Sequence, residues 1–278
     1  MEKDTKIGFL GGGRMAEALV KGILDVGLAK SRNITVVDPV LERCDHLNSK
    51  YKINVEQNAE NIWKCDIIVL AVKPQVLTDL LDGCKKYITT DHLVISIAAG
   101  VPLGVIESHL KKGCRVVRVM PNTPALILEG ASALSGGTNA GQVDVDAAQA
   151  IFDAIGKSVV LPEYELDAVT GLSGSGPAYV YTFLEALTDA GVKVGLGREV
   201  AEMLAMQTVL GSVKLAMVTG QHPAELRAMV TSPGGTTIAG LHELERAGFK
   251  GTIMDAIESA TERSRELGRM ALAKNKEE

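Results

Sequence analysis

The chain has 278 residues, of which 46% are hydrophobic, and this is enough for two domains that each bury a core. A formal net charge of −5 without a long basic run argues against a nucleic-acid-binding protein and favours a small-molecule substrate. The four cysteines form no Cys-x-x-Cys pair, so we expect reduced structural thiols and predict no metal site. The sequence shows no signal peptide and no stretch as long as a membrane span, so we expect a cytoplasmic protein that does not bind membranes.

Short β-rich runs alternate with amphipathic segments in the first part of the chain. Because these runs are apolar on both faces, they predict a parallel sheet covered by helices on either side. The predicted strands are Ile7–Leu10, Ile34–Val37, Ile67–Ala71, Leu93–Ile97 and Val116–Val119, with extensions at Ala131–Leu134 and Ser158–Leu161. We therefore predict an α/β fold class, with an N-terminal Rossmann-type doubly wound sheet over residues 1–162, a kind of domain that commonly binds a dinucleotide.

A glycine-rich turn follows the first predicted strand and opens a helix. Gly11, Gly13 and Ala16 match the dinucleotide pattern G-x-G-x-x-G/A. Gly11 permits the sharp turn, Gly13 lets a pyrophosphate approach the helix N-terminus, and Ala16 lets the helix pack closely on the strand. A chance glycine turn is the alternative, but the place at the start of a βαβ chain favours a cofactor. The predicted cofactor-binding residues in this turn are Gly11, Gly12, Gly13, Arg14 and Met15.

Asp38 ends the second predicted strand. An acid in this place hydrogen-bonds the adenosine ribose and repels a 2′-phosphate, which favours NADH over NADPH. Arg14 and Arg43 are close enough in sequence to neutralise such a phosphate, so NADPH stays open as an alternative. Asp38 could also cap the following helix, and that role does not compete with cofactor contact.

Three further loops follow predicted strands at the edge where doubly wound sheets place ligands. The first contributes the predicted cofactor-binding residues Ala71, Val72, Lys73 and Pro74. A solvated surface lysine is the alternative for Lys73. In the other loops, small residues around Ala98 leave room for a nicotinamide ring, and Asn122 and Thr123 are candidates to hold its amide. The two prolines of the last loop would stiffen it in either case.

Strand signals end near Pro162, and apolar residues then recur at three- and four-residue spacing, which predicts helices. The predicted helices are Val180–Ala190, Arg198–Val218, Pro223–Met229, Ile238–Ala247 and Thr252–Ala273. Arg198–Val218 is apolar over most of its circumference, which indicates a subunit interface or deep packing. We therefore predict an all-α domain over residues 163–278 that forms a homodimer, and the turn described next adds substrate binding to its expected roles.

The stretch Val230–Gly240 combines a Ser-Pro-Gly-Gly-Thr-Thr turn with the start of an apolar helix near Thr236. Successive N–H groups of the turn and the helix can converge on one small acid without any charged side chain. The predicted substrate-binding residues are Ser232, Gly234, Gly235, Thr236 and Thr237. An ordinary capped helix is the alternative. His242 lies one turn further on and is interpreted as a capped or exposed histidine rather than a catalytic one.

Taken together, five segments resemble pyrroline-5-carboxylate reductase, the last enzyme of proline synthesis, over essentially the whole chain. They are Gly11–Ala16, Ala71–Pro74, Arg118–Ala125, Asp167–Tyr179 and Val230–Leu241. The resemblance implies a Rossmann domain, a helical dimerisation domain, an active site completed between two protomers and, in many members, a ring of dimers. It also implies that Thr237 is catalytic through a hydrogen bond to the ring nitrogen, and that Asn58 lines the cofactor. Arg14 and Asp38 depart from the family pattern and leave the cofactor preference open.

The implied reaction is hydride transfer from NADH or NADPH to the imine carbon of 1-pyrroline-5-carboxylate, which gives L-proline. The nearest competitor is a 3-hydroxyacid dehydrogenase, but that group needs a lysine base where this sequence has Val180. A non-catalytic nicotinamide-binding module is an alternative of another class. It would bind NADH without consuming it.

Overall fold

The computed structural model describes residues 4–277 of the chain. Residue contacts divide the chain into two compact units, one formed by Met1–Ser175 with Glu258–Glu278 and the other by Gly176–Ile257. The boundary expected after residue 162 stays a prediction.

The described part of the first unit contains an eight-stranded sheet. Its strands are β1 (Ile7–Leu10), β2 (Ile34–Val37), β3 (Asn54–Glu56), β4 (Ile67–Leu70), β5 (Leu93–Ser96), β6 (Arg115–Met120), β7 (Gly130–Gly136) and β8 (Gly156–Val160). They are arranged in the order β3-β2-β1-β4-β5-β6-β7-β8. Strands β1 to β6 are parallel, β7 runs antiparallel to β6, and β8 is parallel to β7. This order confirms the predicted Rossmann-type sheet.

The structure adds one strand that the sequence pattern does not predict. β3 is only three residues long and contains Asn54 and Glu56 rather than an apolar run. It pairs with β2 and lies at the end of the sheet. An edge strand is covered on fewer sides than a central one, so polar residues are tolerated there and the apolar signal is lost.

Helices cover both faces of this sheet. They are α1 (Arg14–Asp25), α2 (Leu41–Tyr51), α3 (Pro74–Cys84), α4 (Leu103–Ser108) and α5 (Gln142–Asp153), followed by the short α6 (Leu166–Val169) and a π-helical turn at Thr170–Gly174. Successive residues of a strand enter different apolar clusters: Phe9 belongs to one and Leu10 to the other. A sheet buried on both faces explains why the central strands are continuous apolar runs.

The second unit is helical. It contains α7 (Gly176–Lys193), α8 (Arg198–Thr219), α9 (Pro223–Met229), α10 (Thr236–Arg246) and the first residues of α11 (Phe249–Glu277). α7 packs closely on α8, since a Cβ added at Gly191 would lie 2.8 Å from the Cβ of Ala201. The predicted all-α character of this half is confirmed.

Helix α8 leaves most of its apolar surface open. Within α8 only Ala201 and Ala205 are buried. Deep packing inside the chain, one of the two explanations of its apolar composition, is therefore wrong. The other explanation, a subunit interface, accounts for an apolar helix of this length.

Among the described helices, α8 alone also has the length and apolar composition of a membrane span. This helix corrects the expectation that no stretch of the chain is as long as a membrane span. One helix of this kind is weak evidence for a membrane, because an apolar interface helix passes the same test of length and composition.

Candidate functional site

The predicted cofactor residues all follow the ends of parallel strands. β1 is followed by Gly11–Met15, β2 by Asp38, β3 by Asn58, β4 by Ala71–Pro74, β5 by Ala98 and β6 by Asn122. Because β1 to β6 are parallel neighbours, these ends lie along one edge of the sheet. The direction of winding reverses between β1 and β4, and that point is where open α/β sheets bind ligands. The topology thus brings to one edge residues that are far apart in sequence.

Gly11 makes the turn from β1 into α1. Its φ is +100°, and an added Cβ would lie 2.5 Å from the carbonyl oxygen of Ala71, so both the backbone angle and the close approach require glycine. The Gly11 N–H donates to the Val37 carbonyl at 2.8 Å, which joins the turn to the end of β2.

Gly13 is the N-cap of α1 and has open space beside it. A Cβ added there would meet no described atom within 4 Å. The first N–H groups of a helix have no acceptor within the helix and attract an anion. A pyrophosphate therefore fits in front of α1, and the glycine loop suits a dinucleotide.

Asp38 binds the glycine loop directly. One carboxylate oxygen accepts the Gly12 N–H at 2.8 Å and the other accepts the Val40 N–H at 3.0 Å. Each oxygen keeps a further lone pair that a ribose hydroxyl can use. The two arginines considered near it differ: Arg14 is exposed, whereas Arg43 is held against the loop by hydrogen bonds to the Gly12 carbonyl and, at 3.3 Å, to the Gly13 carbonyl.

The loops that follow β4, β5 and β6 differ in how far their predicted cofactor residues are exposed to a ligand. Lys73 is exposed at the N-cap of α3. Ala98 is only 3% exposed and packs in an apolar cluster, so it presents little surface. The Asn122 side chain donates to the Ser173 carbonyl at 3.0 Å and accepts the Ala131 N–H at 2.9 Å. Asn122 therefore connects its loop to the π-helical turn, and its role towards a cofactor stays a prediction.

The predicted carboxylate seat is the turn between α9 and α10. Gly234 has φ +66°, in the left-handed region. Gly235 is the N-cap of α10, its N–H donates to the Ser232 carbonyl at 3.1 Å, and an added Cβ would collide with the Ser232 hydroxyl. Thr236 and Thr237 begin the helix, so their N–H groups have no acceptor inside it. The turn therefore presents uncharged donors at the positive end of a helix dipole.

A cavity of about 860 Å³ lies beside this turn. Its lining includes Thr231, Gly234, Gly235, Ile238 and His242, but not Ser232, Thr236 or Thr237. It is therefore a groove between α9 and α10 rather than a pocket around the predicted hydroxyls. His242 is exposed.

Sequence reasoning missed Glu17, which lies one turn into α1. Its side chain is 18% exposed and accepts hydrogen bonds from Arg43, His46, Lys50 and Tyr51. Burial alone would raise the pKa of Glu17, but these four hydrogen bonds bring it well below its ordinary value. No local sequence pattern indicates that a residue of α1 pairs with residues of α2.

Among the described residues, no group of three or more His, Cys, Asp or Glu side chains is placed to hold a metal ion.

Two family profiles match the chain. Residues 163–267 match the profile described as "Pyrroline-5-carboxylate reductase dimerisation", and residues 6–100 match "NADP oxidoreductase coenzyme F420-dependent". The pyrroline-5-carboxylate reductase of Methanosarcina acetivorans is 48% identical over 96% of this chain and 99% of its own length. The chain belongs to the pyrroline-5-carboxylate reductase family.

Solved structures of the family have the same fold. The pyrroline-5-carboxylate reductase of Coxiella burnetii superposes with a TM-score of 0.90 at 35% identity and covers 95% of this chain and 99% of its own. The Plasmodium falciparum enzyme, solved with NADP bound, has a TM-score of 0.86 at 37% identity, over 96% of this chain and 100% of its own. The family resemblance inferred from five sequence segments is thus confirmed, and the dimerisation profile shows that this half of the chain serves self-association.

Proposed function

We propose that this protein reduces 1-pyrroline-5-carboxylate to L-proline with NADH or NADPH. The observation that carries the proposal is the likeness to a pyrroline-5-carboxylate reductase, at 48% identity over 96% of the chain. This chain contains both the glycine loop and the Ser-Pro-Gly-Gly-Thr-Thr turn, so the two parts that the reaction requires occur together.

In this proposal, residues at the carboxyl edge of the sheet hold the cofactor, which supplies the hydride when bound. The N–H groups at the start of α1 bind the pyrophosphate, and Asp38 binds the adenosine ribose. Ala71–Pro74, Asn58 and Asn122 line the rest of the site, and Ala98, which is nearly buried, borders it with little surface. The support is their common place at the ends of parallel strands.

The substrate seat of the proposal is the turn before α10. Its uncharged N–H donors, with the hydroxyls of Ser232 and Thr236, bind the substrate carboxylate, and the Thr237 hydroxyl positions the ring nitrogen. A protonated cyclic imine is already electrophilic, so the protein has mainly to orient the ring. A threonine hydroxyl is a poor acid. The proton therefore comes from water or from an imine that binds in its protonated form.

The preferred cofactor in this proposal is NADH. A 2′-phosphate placed next to the Asp38 carboxylate would meet a like charge. The arginine that could offset this charge, Arg43, is already bonded to the glycine loop and to Glu17.

The proposed assembly is a homodimer formed through the helical half, and a ring of such dimers is the larger form implied by the family resemblance. The exposed apolar residues of α7 and α8 support self-association. The proposed location is the cytoplasm, as the reduced cysteines suggest.

In the decisive experiment, 1-pyrroline-5-carboxylate is added to the purified protein together with NADH. The loss of NADH absorbance is measured, and proline is identified by chromatography. Stoichiometric oxidation of NADH and formation of proline are expected. Binding of NADH without its consumption would instead indicate a non-catalytic nicotinamide-binding module. The same assay with NADPH measures the preference, and we expect a higher kcat/KM with NADH.

A further inference from the structure

Arg43 contacts the glycine loop through two backbone carbonyl groups. Its Nε donates to the Gly12 carbonyl and its Nη2 donates to the Gly13 carbonyl at 3.3 Å. The side chain is 24% exposed, so these bonds are partly shielded from water. Because a peptide bond is planar and trans, a carbonyl that points towards Arg43 turns the N–H of the same peptide group the opposite way. The Gly12 carbonyl shares its peptide group with the Gly13 N–H, so Arg43 sets the direction of that N–H.

Asp38 completes the arrangement of the loop. It accepts the Gly12 N–H, so this donor is used inside the protein. The Gly13 N–H then remains as the loop donor for a pyrophosphate, and the space beside Gly13 is open, since a Cβ added there would meet no described atom within 4 Å. Arg43 and Asp38 together therefore determine which backbone donors of the loop are available to a pyrophosphate.

Glu17 holds the Arg43 guanidinium in this position. The Arg43 Nη2 lies 2.5 Å from a Glu17 carboxylate oxygen. Glu17 also accepts a hydrogen bond from His46 Nε2 at 3.1 Å and another from Lys50 Nζ at 3.0 Å. A carboxylate with several donors stays ionised and fixed, so it offers Arg43 a permanent partner.

We propose that Arg43 is a positioning residue for the glycine loop, held in place by Glu17, and that it does not serve as the receptor of a 2′-phosphate. The inference rests on the proposed function, since it requires that the loop binds a dinucleotide. To reach a phosphate on the ribose, the guanidinium would have to leave the two loop carbonyls and Glu17. That exchange would disturb the same N–H groups that bind the pyrophosphate.

The test is binding of NAD⁺ and NADP⁺, measured separately by isothermal titration calorimetry on the full chain. Arg43→Met removes the N–H donors and keeps the aliphatic stem of the side chain. A lost charge-assisted hydrogen bond corresponds to about a tenfold change in affinity. We therefore expect Arg43→Met to raise the Kd of both dinucleotides by about tenfold and to leave their ratio unchanged.

Glu17→Gln provides a second variant that keeps the shape of the side chain. It should raise the Kd of both dinucleotides by an equal factor that is smaller than in Arg43→Met. In the Arg43→Met background it should cause no further rise in either Kd, because Glu17 acts through Arg43. Lys50→Met is the matched control. Without the Lys50 ammonium, Glu17 keeps its hydrogen bonds from Arg43, His46 and Tyr51, so both Kd values should stay as in the unsubstituted protein.

Several outcomes would overturn the inference. One is a loss of affinity for NADP⁺ alone in Arg43→Met, which would make Arg43 a phosphate receptor. Others are unchanged binding in that variant, tighter NADP⁺ binding in Glu17→Gln, or an effect of Lys50→Met as large as that of Arg43→Met. Failure of the unsubstituted protein to bind either dinucleotide would instead reject the proposed function itself, together with this inference.

Discussion

Thr237 is the residue on which the proposed chemistry depends most. It is the second residue of α10 and is half-buried. Thr237→Ala removes the hydroxyl that would orient the imine, so we expect turnover to fall by about a hundredfold, as when one preorganised donor is lost from an active site. The affinity for NADH should change little. Steady-state kinetics and NADH titration measure the two effects.

Thr237→Ser is the matched control, because it keeps the hydroxyl and removes only a methyl group. It should retain most of the turnover. Unaltered turnover in Thr237→Ala would remove this residue from the mechanism.

The two outer glycines of the loop should respond differently to the same added methyl group. At Gly11 the methyl would meet the Ala71 carbonyl at a positive φ, so we expect Gly11→Ala to lower the free energy of unfolding by about 2 kcal/mol or more. At Gly13 it would enter open space, so the free energy of unfolding should change by less than about 1 kcal/mol. Thermal unfolding without ligand measures both.

Dinucleotide binding is a second property that should distinguish the Gly13 variant from the Gly11 variant. The Gly13 methyl would occupy the space that the pyrophosphate needs, so Gly13→Ala should fold normally and bind dinucleotide weakly. Full affinity of Gly13→Ala for NAD⁺ would show that the pyrophosphate does not approach the helix at this point.

At the scale of elements, α8 is the helix through which we expect the chain to self-associate. Met206, Leu210, Val213 and Met217 recur at three- and four-residue spacing, so they share one side of the helix. Their exposed fractions run from 48% to 71%. An apolar stripe of this length exposed to water favours association with a second copy.

A charge within this stripe should therefore dissociate the protein. Leu210→Glu would bury an unpaired carboxylate in the interface, which costs several kcal/mol, so we expect a shift towards the monomer in analytical ultracentrifugation. Val143→Glu is the control. Val143 is 81% exposed and lies in α5, outside the dimerisation match, so its variant should keep the assembly of the unsubstituted protein. An unchanged mass of Leu210→Glu would exclude this side of α8 from the interface.

At the scale of the whole molecule, the cysteines report on the integrity of the fold. Cys44, Cys65, Cys84 and Cys114 are free and buried. Burial raises the pKa of the Cys65 and Cys84 thiols from the ordinary 9.0 to about 11. Since the thiolate is the reactive form, we expect these two thiols to resist a disulfide reagent in the native protein and to react after unfolding.

The same shifts set a direction for stability against pH. The folded chain holds these protons more tightly than the unfolded chain, so their contribution is complete below pH 9.0 and is lost as the pH rises towards about 11. Denaturant titrations at increasing pH measure this loss. Rapid labelling of Cys65 and Cys84 in the native protein, located by mass spectrometry, would contradict their burial.

The sequence alone determined the features that depend on neighbouring residues. β1 and β2 have the predicted bounds, and α9 begins and ends where its periodicity and proline indicate. The glycine turn could be interpreted in the same way, because the need for a positive φ at Gly11 and for a small residue at Gly13 is a local requirement of a strand-to-helix turn. The family resemblance followed from such local segments.

Only the tertiary structure decided which distant residues meet. Glu17 and Arg43 lie on different helices, and their pairing depends on how α1 and α2 pack on the sheet. The link from Asn122 to Ser173, the polar edge strand β3 and the open side of α8 are also results of packing. Backbone preference and apolar periodicity act over a few residues, whereas burial and side-chain pairing depend on the path of the whole chain. For this reason the sequence predicted where a dinucleotide would bind, and only the fold showed which side chains hold the loop in place.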